Sequence, residues 1–173
     1  SSSEIKVIAN KTQSTYNIPV KINNPKLWWP NGMGEQHLYD LKINIYNDRS
    51  RDSQSLQTGI RTIELVREPD SIGTSFYFKV NGHSVFMKGA NYIPQDAFLA
   101  RPTKDHYEYI LNSAKKANMN MIRVWGGGVY ESDYFYELCD QLGLLVWQDF
   151  MFACAMYPGN KHFVNNVKQE ATD

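Results

Sequence analysis

Two cysteines, no excess charge of either sign and no long apolar run narrow what this chain can be before any motif is read. Cys139 and Cys154 form neither a C-x-x-C pair nor a repeated framework, so a disulfide-stapled scaffold is excluded and both read as free, buried thiols. The 18 basic and 18 acidic residues cancel to a formal net charge of +0, which removes the electrostatic basis for nucleic acid or an anionic membrane as partner. No apolar run approaches the roughly 18 residues of a membrane span, and no secretory leader pattern opens the chain. His37, His83, His106 and His162 are scattered without metal-ligand spacing, so neither a metal nor another cofactor is expected. Gly126, Gly127 and Gly128 fit neither G-x-G-x-x-G nor the P-loop, which sets nucleotide binding aside. Asn10-Lys11-Thr12 matches a glycosylation sequon, a triplet common by chance, and the compartment stays open.

Aromatic residues are plentiful, at 13 % of the chain with 11 Tyr and 4 Trp. They crowd two stretches, MIRVWGGGVY from Met121 and LLVWQDFMFACAMYP from Leu144. Each is a short apolar run that ends in polar and aromatic residues. A buried strand reads that way when its C-terminal end opens into a site. A helical pattern lies between the two, which is the rhythm of parallel β/α units, and such folds carry their chemistry at the C-terminal ends of the strands. The residues there suit a wet, aromatic-walled pocket for a hydroxyl-rich ligand.

The first third reads as β structure. Tyr16, Ile18, Val20 and Ile22 alternate with polar residues, as do Tyr39, Leu41, Ile43 and Ile45, with a weaker run at Ile5, Val7 and Ala9 and a fourth at Ile60–Val66. Pro19 places the first of these at a sheet edge. Asn-, Gly- and Ser-rich stretches, Asn47–Ser55 among them, read as separators, and the whole as a β-sandwich missing some strands. A linker at Arg67–Ser75 precedes a hairpin about Asn81-Gly82, the dipeptide that accepts the positive φ of a type I′ turn. Strands at Val85–Ala90, Met121–Trp125 and Leu144–Gln148 then alternate with helices. The helix from Thr103 sets Tyr107, Ile110, Leu111 and Ala114 on one face. The helix from Ser132 sets Phe135, Leu138, Cys139 and Leu142 on one stripe and ends at Gly143. A third helix follows His162 and is cut short at Asp173, so the chain reads as a segment of something longer.

Three runs carry a resemblance to a known family. NPKLWWPNGMGEQHLYDL, from Asn24, looks like the immunoglobulin-like domain of glycoside hydrolase family 2. FKVNGHSVFMKGANYIP, from Phe78, resembles the start of that family's eightfold barrel. RVWGGGVYE and WQDFMFACAMYP resemble its β-mannosidase branch. The resemblance implies a multidomain β plus α/β protein. Residues 1–67 would be an immunoglobulin-like β-sandwich, incomplete at its N-terminus, and residues 76–173 the first three β/α units of a TIM (β/α)8 barrel. It implies a retaining exo-β-mannosidase that hydrolyses terminal β-D-mannose residues of an oligosaccharide or glycoside. Such an enzyme needs two carboxyl groups about 5–5.5 Å apart. The family's pair lies after strands 4 and 7 of the barrel, the first in an Asn-Glu dipeptide, and no Asn-Glu occurs here. The parent is therefore expected to be an enzyme, and this chain alone to hold no catalytic residue and to be inactive. The alternatives are an exo-β-glucosaminidase or other family 2 glycosidase, or a non-catalytic carbohydrate-binding module.

Five residues are the candidate substrate contacts: Asp149, Trp125, Arg123, Asn91 and Asp96. Asp149 ends its strand and could accept two sugar hydroxyls, or form a salt bridge at the rim; the resemblance puts it in the subsite of the cleaved sugar. Trp125 could stack on a pyranose face or fill core. Arg123 shares Trp125's face and either orients carboxylates or makes an inter-strand ion pair. Asn91 follows the first strand as a hydroxyl partner. Asp96 lies in the same loop and reads equally as a turn or cap. The three glycines would let backbone approach the sugar or turn tightly. Trp28 and Trp29 read as core between modules. Three strands cannot close a barrel, so an open edge and an exposed apolar rim around Val124, Val146 and Phe150 are expected, with the rest of the parent needed to cover them.

Overall fold

The structure, a computed structural model, describes residues 15–172. The run at Ile5–Ala9 and the sequon at Asn10 lie outside the described residues. The first strands differ from expectation. The run from Tyr16 to Ile22 is not a strand, although it has the alternating pattern. Alternation prepares one apolar face, but a strand exists only as a ladder with a neighbour, and residues 16–22 join none of the described ladders. Tyr16, Ile18 and Val20 are all exposed. Instead β1 (Tyr39–Tyr46) pairs antiparallel with β2 (Arg51–Thr58), in the stretch that reads as a separator. The turn between them is held by the Asn47 carboxamide, whose Oδ1 accepts from the Arg49 and Ser50 N–H groups. β2 is polar because almost all of it is exposed.

The second sheet is antiparallel, in the order β3 (Ile63–Val66), β4 (Tyr77–Val80), β5 (His83–Val85). Asn81 and Gly82 have φ of 50° and 78°, the left-handed pair that the turn between β4 and β5 requires. The stretch between β3 and β4 is a compact turn in which the Asp70 carboxylate accepts from the Ile72 and Gly73 N–H groups.

The third sheet is parallel: β6 (Gly89–Tyr92), β7 (Met121–Val124) and β8 (Leu145–Gln148), in that order. Its first strand begins four residues later than Val85, because Val85 closes β5 and the chain must turn before the parallel ladder starts. Helices α1 (Lys104–Lys116) and α2 (Asp133–Leu142) connect the strands, and α3 (Lys161–Glu170) follows. The ends of α1 and α2 match their sequence signals. Thr103 and Ser132 are N-caps, and Gly143 closes α2 at φ 79°.

The parallel sheet has two different faces. Tyr92, Ile122 and Val124 point toward the helices and join Leu111, Ala114, Phe135, Leu138 and Cys139 in one core cluster. Val124 is thus only 2 % exposed and Val146 packs against the same cluster, so the expected apolar rim reduces to Phe150, which is exposed. Covering a sheet face with amphipathic helices is what makes a parallel sheet stable. On the other face, Leu145 and the partly buried Met121 join Trp28, Val80 and Val85 in a second cluster. The antiparallel sheet thus plugs one half of this face.

Trp28 anchors the plug. It is fully buried, its Nε1 donates to the Asp140 carbonyl of α2 at 2.7 Å, and the Arg61 guanidinium lies 4.6 Å over its ring. Asn31 Nδ2 donates to the carbonyls of Lys115 and Met119, which caps the C-terminal end of α1. Core duty for Trp28 agrees with its sequence reading. Cysteine burial agrees only in part. Cys139 is buried, and burial pushes its thiol up to about 12, whereas Cys154 is exposed in the loop after β8. An exposed cysteine is not encoded by its aromatic neighbours in sequence.

Candidate functional site

Register decides which side chains meet. In the parallel ladder Asn91, Arg123 and Trp147 lie side by side, one row above Gly89, Met121 and Leu145. Side chains two apart share a face, so Trp125 and Asp149 continue the same face beyond the strand ends. The ladder persists there: the Trp125 N–H donates to the Tyr92 carbonyl, and the Asp149 N–H to the Val124 carbonyl.

Three of the five expected residues form one hydrogen-bonded group. Arg123 grips Asp149 with both arms, Nη2 to Oδ2 at 2.7 Å and Nε to Oδ1 at 3.3 Å. Its third nitrogen, Nη1, donates to Asn91 Oδ1 at 3.0 Å. The Gly126 backbone N–H adds a donor to Asp149 Oδ2 at 3.1 Å. A planar fork on a carboxylate fixes direction as well as charge. The group is not sealed: the Arg123 side chain is 41 % exposed and that of Asp149 is 18 % exposed. The ion pair foreseen as the structural reading of Arg123 and Asp149 is therefore present, and it sits at an open rim where hydroxyls can reach it.

Trp125 stands beside this group without bonding to it. A Cβ on Gly127 would lie 2.1 Å from its indole, so the ring lies directly over that glycine. A Cβ on Gly126 would meet the Phe150 carbonyl at 2.3 Å, and one on Gly128 would meet Pro94 at 2.9 Å. The three glycines are required by space, not by φ, since none has a positive value. They also turn tightly, with the Gly128 N–H donating to the Trp125 carbonyl. The partners of Gly126 and Gly128 were not readable from the sequence because they are tertiary, whereas that of Gly127 is the Trp125 ring two residues back. Asp96 stays apart. Its Oδ1 accepts from the Phe98 N–H at 2.7 Å and lies 3.7 Å from Arg101, the geometry of a turn residue. Trp147 packs on Phe78 of the antiparallel sheet and on Phe76 just before it.

A cleft of about 530 Å³ does not coincide with the polar group. It runs along β8 and is lined by Phe76, Phe78, Leu145, Val146, Trp147 and Gln148 among others. β8 is an edge of its sheet, with one ladder partner, β7. The cleft is lined mainly by apolar residues and borders an edge strand, so it suits another strand better than a sugar.

The comparisons with known proteins meet this geometry. Residues 1–61 match the model for glycosyl hydrolases family 2. A β-mannosidase from Capra hircus is 48 % identical over 166 residues, which is 92 % of this chain and 19 % of that protein. The chain belongs to glycosyl hydrolase family 2. Its resemblance to the β-mannosidase branch extends to structure. A β-D-mannosidase from Dictyoglomus thermophilum superimposes with a TM-score of 0.84 at 53 % identity, over 87 % of this chain and 19 % of that one. An exo-chitosanase from Amycolatopsis orientalis is more distant, with a TM-score of 0.66 at 28 % identity over 76 % of this chain and 15 % of that one. The chain spans about a fifth of the length of the curated relatives it matches.

Proposed function

We propose that this chain is part of a retaining exo-β-mannosidase acting on the terminal β-D-mannose of an oligosaccharide or glycoside. The observation that carries the reading is the Asn91–Arg123–Asp149 group, which sits at the C-terminal ends of adjacent parallel strands on the face the plug leaves open. Asp149 offers carboxylate oxygens to sugar hydroxyls, with Arg123 and the Gly126 N–H fixing their direction. Trp125 offers an indole face to the apolar side of the pyranose, and Asn91 a further polar contact. Asp96 has the weakest part, since its carboxylate is engaged in its own turn.

Residues 76–173 are then the first three β/α units of a (β/α)8 barrel and residues 1–67 belong to an immunoglobulin-like sandwich. The cleft along β8 is the seat of the barrel's next strand. The two carboxylates of the double displacement come from parts of the protein beyond these units. One protonates the leaving oxygen, and the other attacks the anomeric carbon and forms a glycosyl-enzyme that water then opens.

The test uses the full-length protein with a chromogenic aryl β-mannoside, the first-formed sugar being followed by NMR. Hydrolysis that releases the β-anomer first supports the proposal. Release of the α-anomer would end the retaining mechanism, and turnover of a β-glucosaminide but not a β-mannoside would shift the substrate to that of the more distant glycosidases. The 173-residue chain alone should show no turnover above buffer.

A further inference from the structure

The loop between β7 and α2 holds Trp125 and Gly126 at its start and Glu131 near its end. Glu131 has no place in the sugar-facing group. Its carboxylate points behind the sheet, where Tyr107 of α1 donates to Oε2 at 2.8 Å. Its backbone N–H donates to Tyr136 Oη of α2 at 3.3 Å. Tyr136 donates onward to Gln148 Oε1 at 2.6 Å, and Gln148 Nε2 donates to the Asp149 carbonyl at 2.8 Å. The loop therefore reaches Asp149 twice. In front, the Gly126 N–H binds its carboxylate; behind, the Glu131 N–H reaches its carbonyl through two side chains. Burial, followed by Glu131, pushes the Tyr107 phenol up to about 12, and burial raises Tyr136 as well, so both stay protonated donors at neutral pH.

We propose that Glu131 is a positioning residue, a latch that closes the far end of this loop and so holds Asp149 and Trp125 in the geometry the sugar needs. The sugar part rests on the proposed function; the latch itself does not. Without the Glu131 carboxylate Tyr107 loses its acceptor, Tyr92 of β6 loses its contact with the same carboxylate, and the loop loses its carboxylate tie to α1. The rear path to Asp149 then starts from a loop end that has lost its anchor on α1 and is left to the Tyr130–Glu170 bond and the start of α2. Loops of this kind open locally at little cost unless such ties hold them. A displacement of an ångström at a positioning contact can cost up to about 100-fold in rate.

The experiment compares the full-length protein with Glu131→Ala and Glu131→Gln, reading amide exchange by mass spectrometry and kinetics on an aryl β-mannoside. For Glu131→Ala we expect amide exchange about tenfold faster in peptides covering 125–130, no change in peptides from α1, and kcat down roughly 30-fold with KM within about twofold. Glu131→Gln should recover most of both effects, because its carbonyl oxygen still accepts from Tyr107. If Glu131→Ala does not fold, Tyr107→Phe removes the same bond and should speed exchange in the same peptides. Exchange unchanged in 125–130, exchange raised evenly across both helices, or Glu131→Gln as impaired as Glu131→Ala overturns the latch. A wild-type protein inactive on the β-mannoside sinks the substrate assignment, while the exchange result still decides the latch.

Discussion

One face of the parallel sheet is split in two. Met121 and Leu145 of its lower row meet Trp28 and Val80 and Val85 of the antiparallel sheet, and Leu145 is buried there. Its upper rows, Asn91 and Arg123 and then Trp125 and Asp149, are polar or aromatic and partly open, while Trp147 beside them still touches Phe78 of the antiparallel sheet. The strands and the pleat are the same; only the covering differs. Where the plug ends, a charged side chain can be kept in position without being desolvated, and its fork can face a ligand. The Arg123–Asp149 pair would add little as an ordinary exposed ion pair. Its bidentate geometry and its extra backbone donor argue for orientation rather than stability as its purpose.

The comparison breaks if the two halves respond alike to mutation. The largest effect is expected above the plug. In the full-length protein Asp149→Ala should lower kcat/KM by at least about 100-fold, a loss on the order of 3 kcal/mol of transition-state binding, with little change in melting temperature. Arg123 is exposed enough to rehydrate when its partner is gone. Parallel losses of activity and stability, measured by kinetics and thermal melting, would make the upper rows structural.

Below the plug the expectation reverses. Leu145→Ala removes a side chain that is 4 % exposed and packs against Trp28, Val80 and Val85. It should cost on the order of 2–3 kcal/mol of stability in denaturant titration, while kcat/KM of the folded fraction stays within about twofold of wild type. A smaller effect sharpens the boundary between the halves. Gly127→Ala places a methyl within 2.1 Å of the Trp125 ring, which must swing aside. A rise in KM of about tenfold, about 1.4 kcal/mol, is expected without a matching fall in melting temperature. Unchanged KM would remove Trp125 from the sugar face.

Much of this division was legible in the chain. The helices α1 and α2 and their caps follow from amphipathic spacing and from Thr103, Ser132 and Gly143, all local signals. The hairpin follows from Asn81-Gly82 for the same reason. The Arg123–Asp149 ion pair was legible as one of the two readings of those residues, because both lie at or near the ends of apolar strands. The misses share one cause, dependence on what the residue pairs with or packs against rather than on its own pattern. β2 is a strand because β1 lies beside it, not because RDSQSLQT has an apolar face. The run from Tyr16 has that face and is not a strand. The glycines after Trp125 are explained by Pro94, by the Trp125 ring and by the backbone around Phe150, contacts that no spacing encodes. The tie from Glu131 through Tyr136 and Gln148 to Asp149 joins four positions with no common period.

The most direct measurement is a crystal structure of the full-length protein with a mannose-configured inhibitor bound. The account predicts sugar hydroxyls at about 2.6–3.0 Å from the Asp149 carboxylate, with the Arg123 fork still on it and the Trp125 indole against the pyranose. A sugar seated away from the strand ends, with Arg123 and Asp149 bonded only to each other, would contradict it.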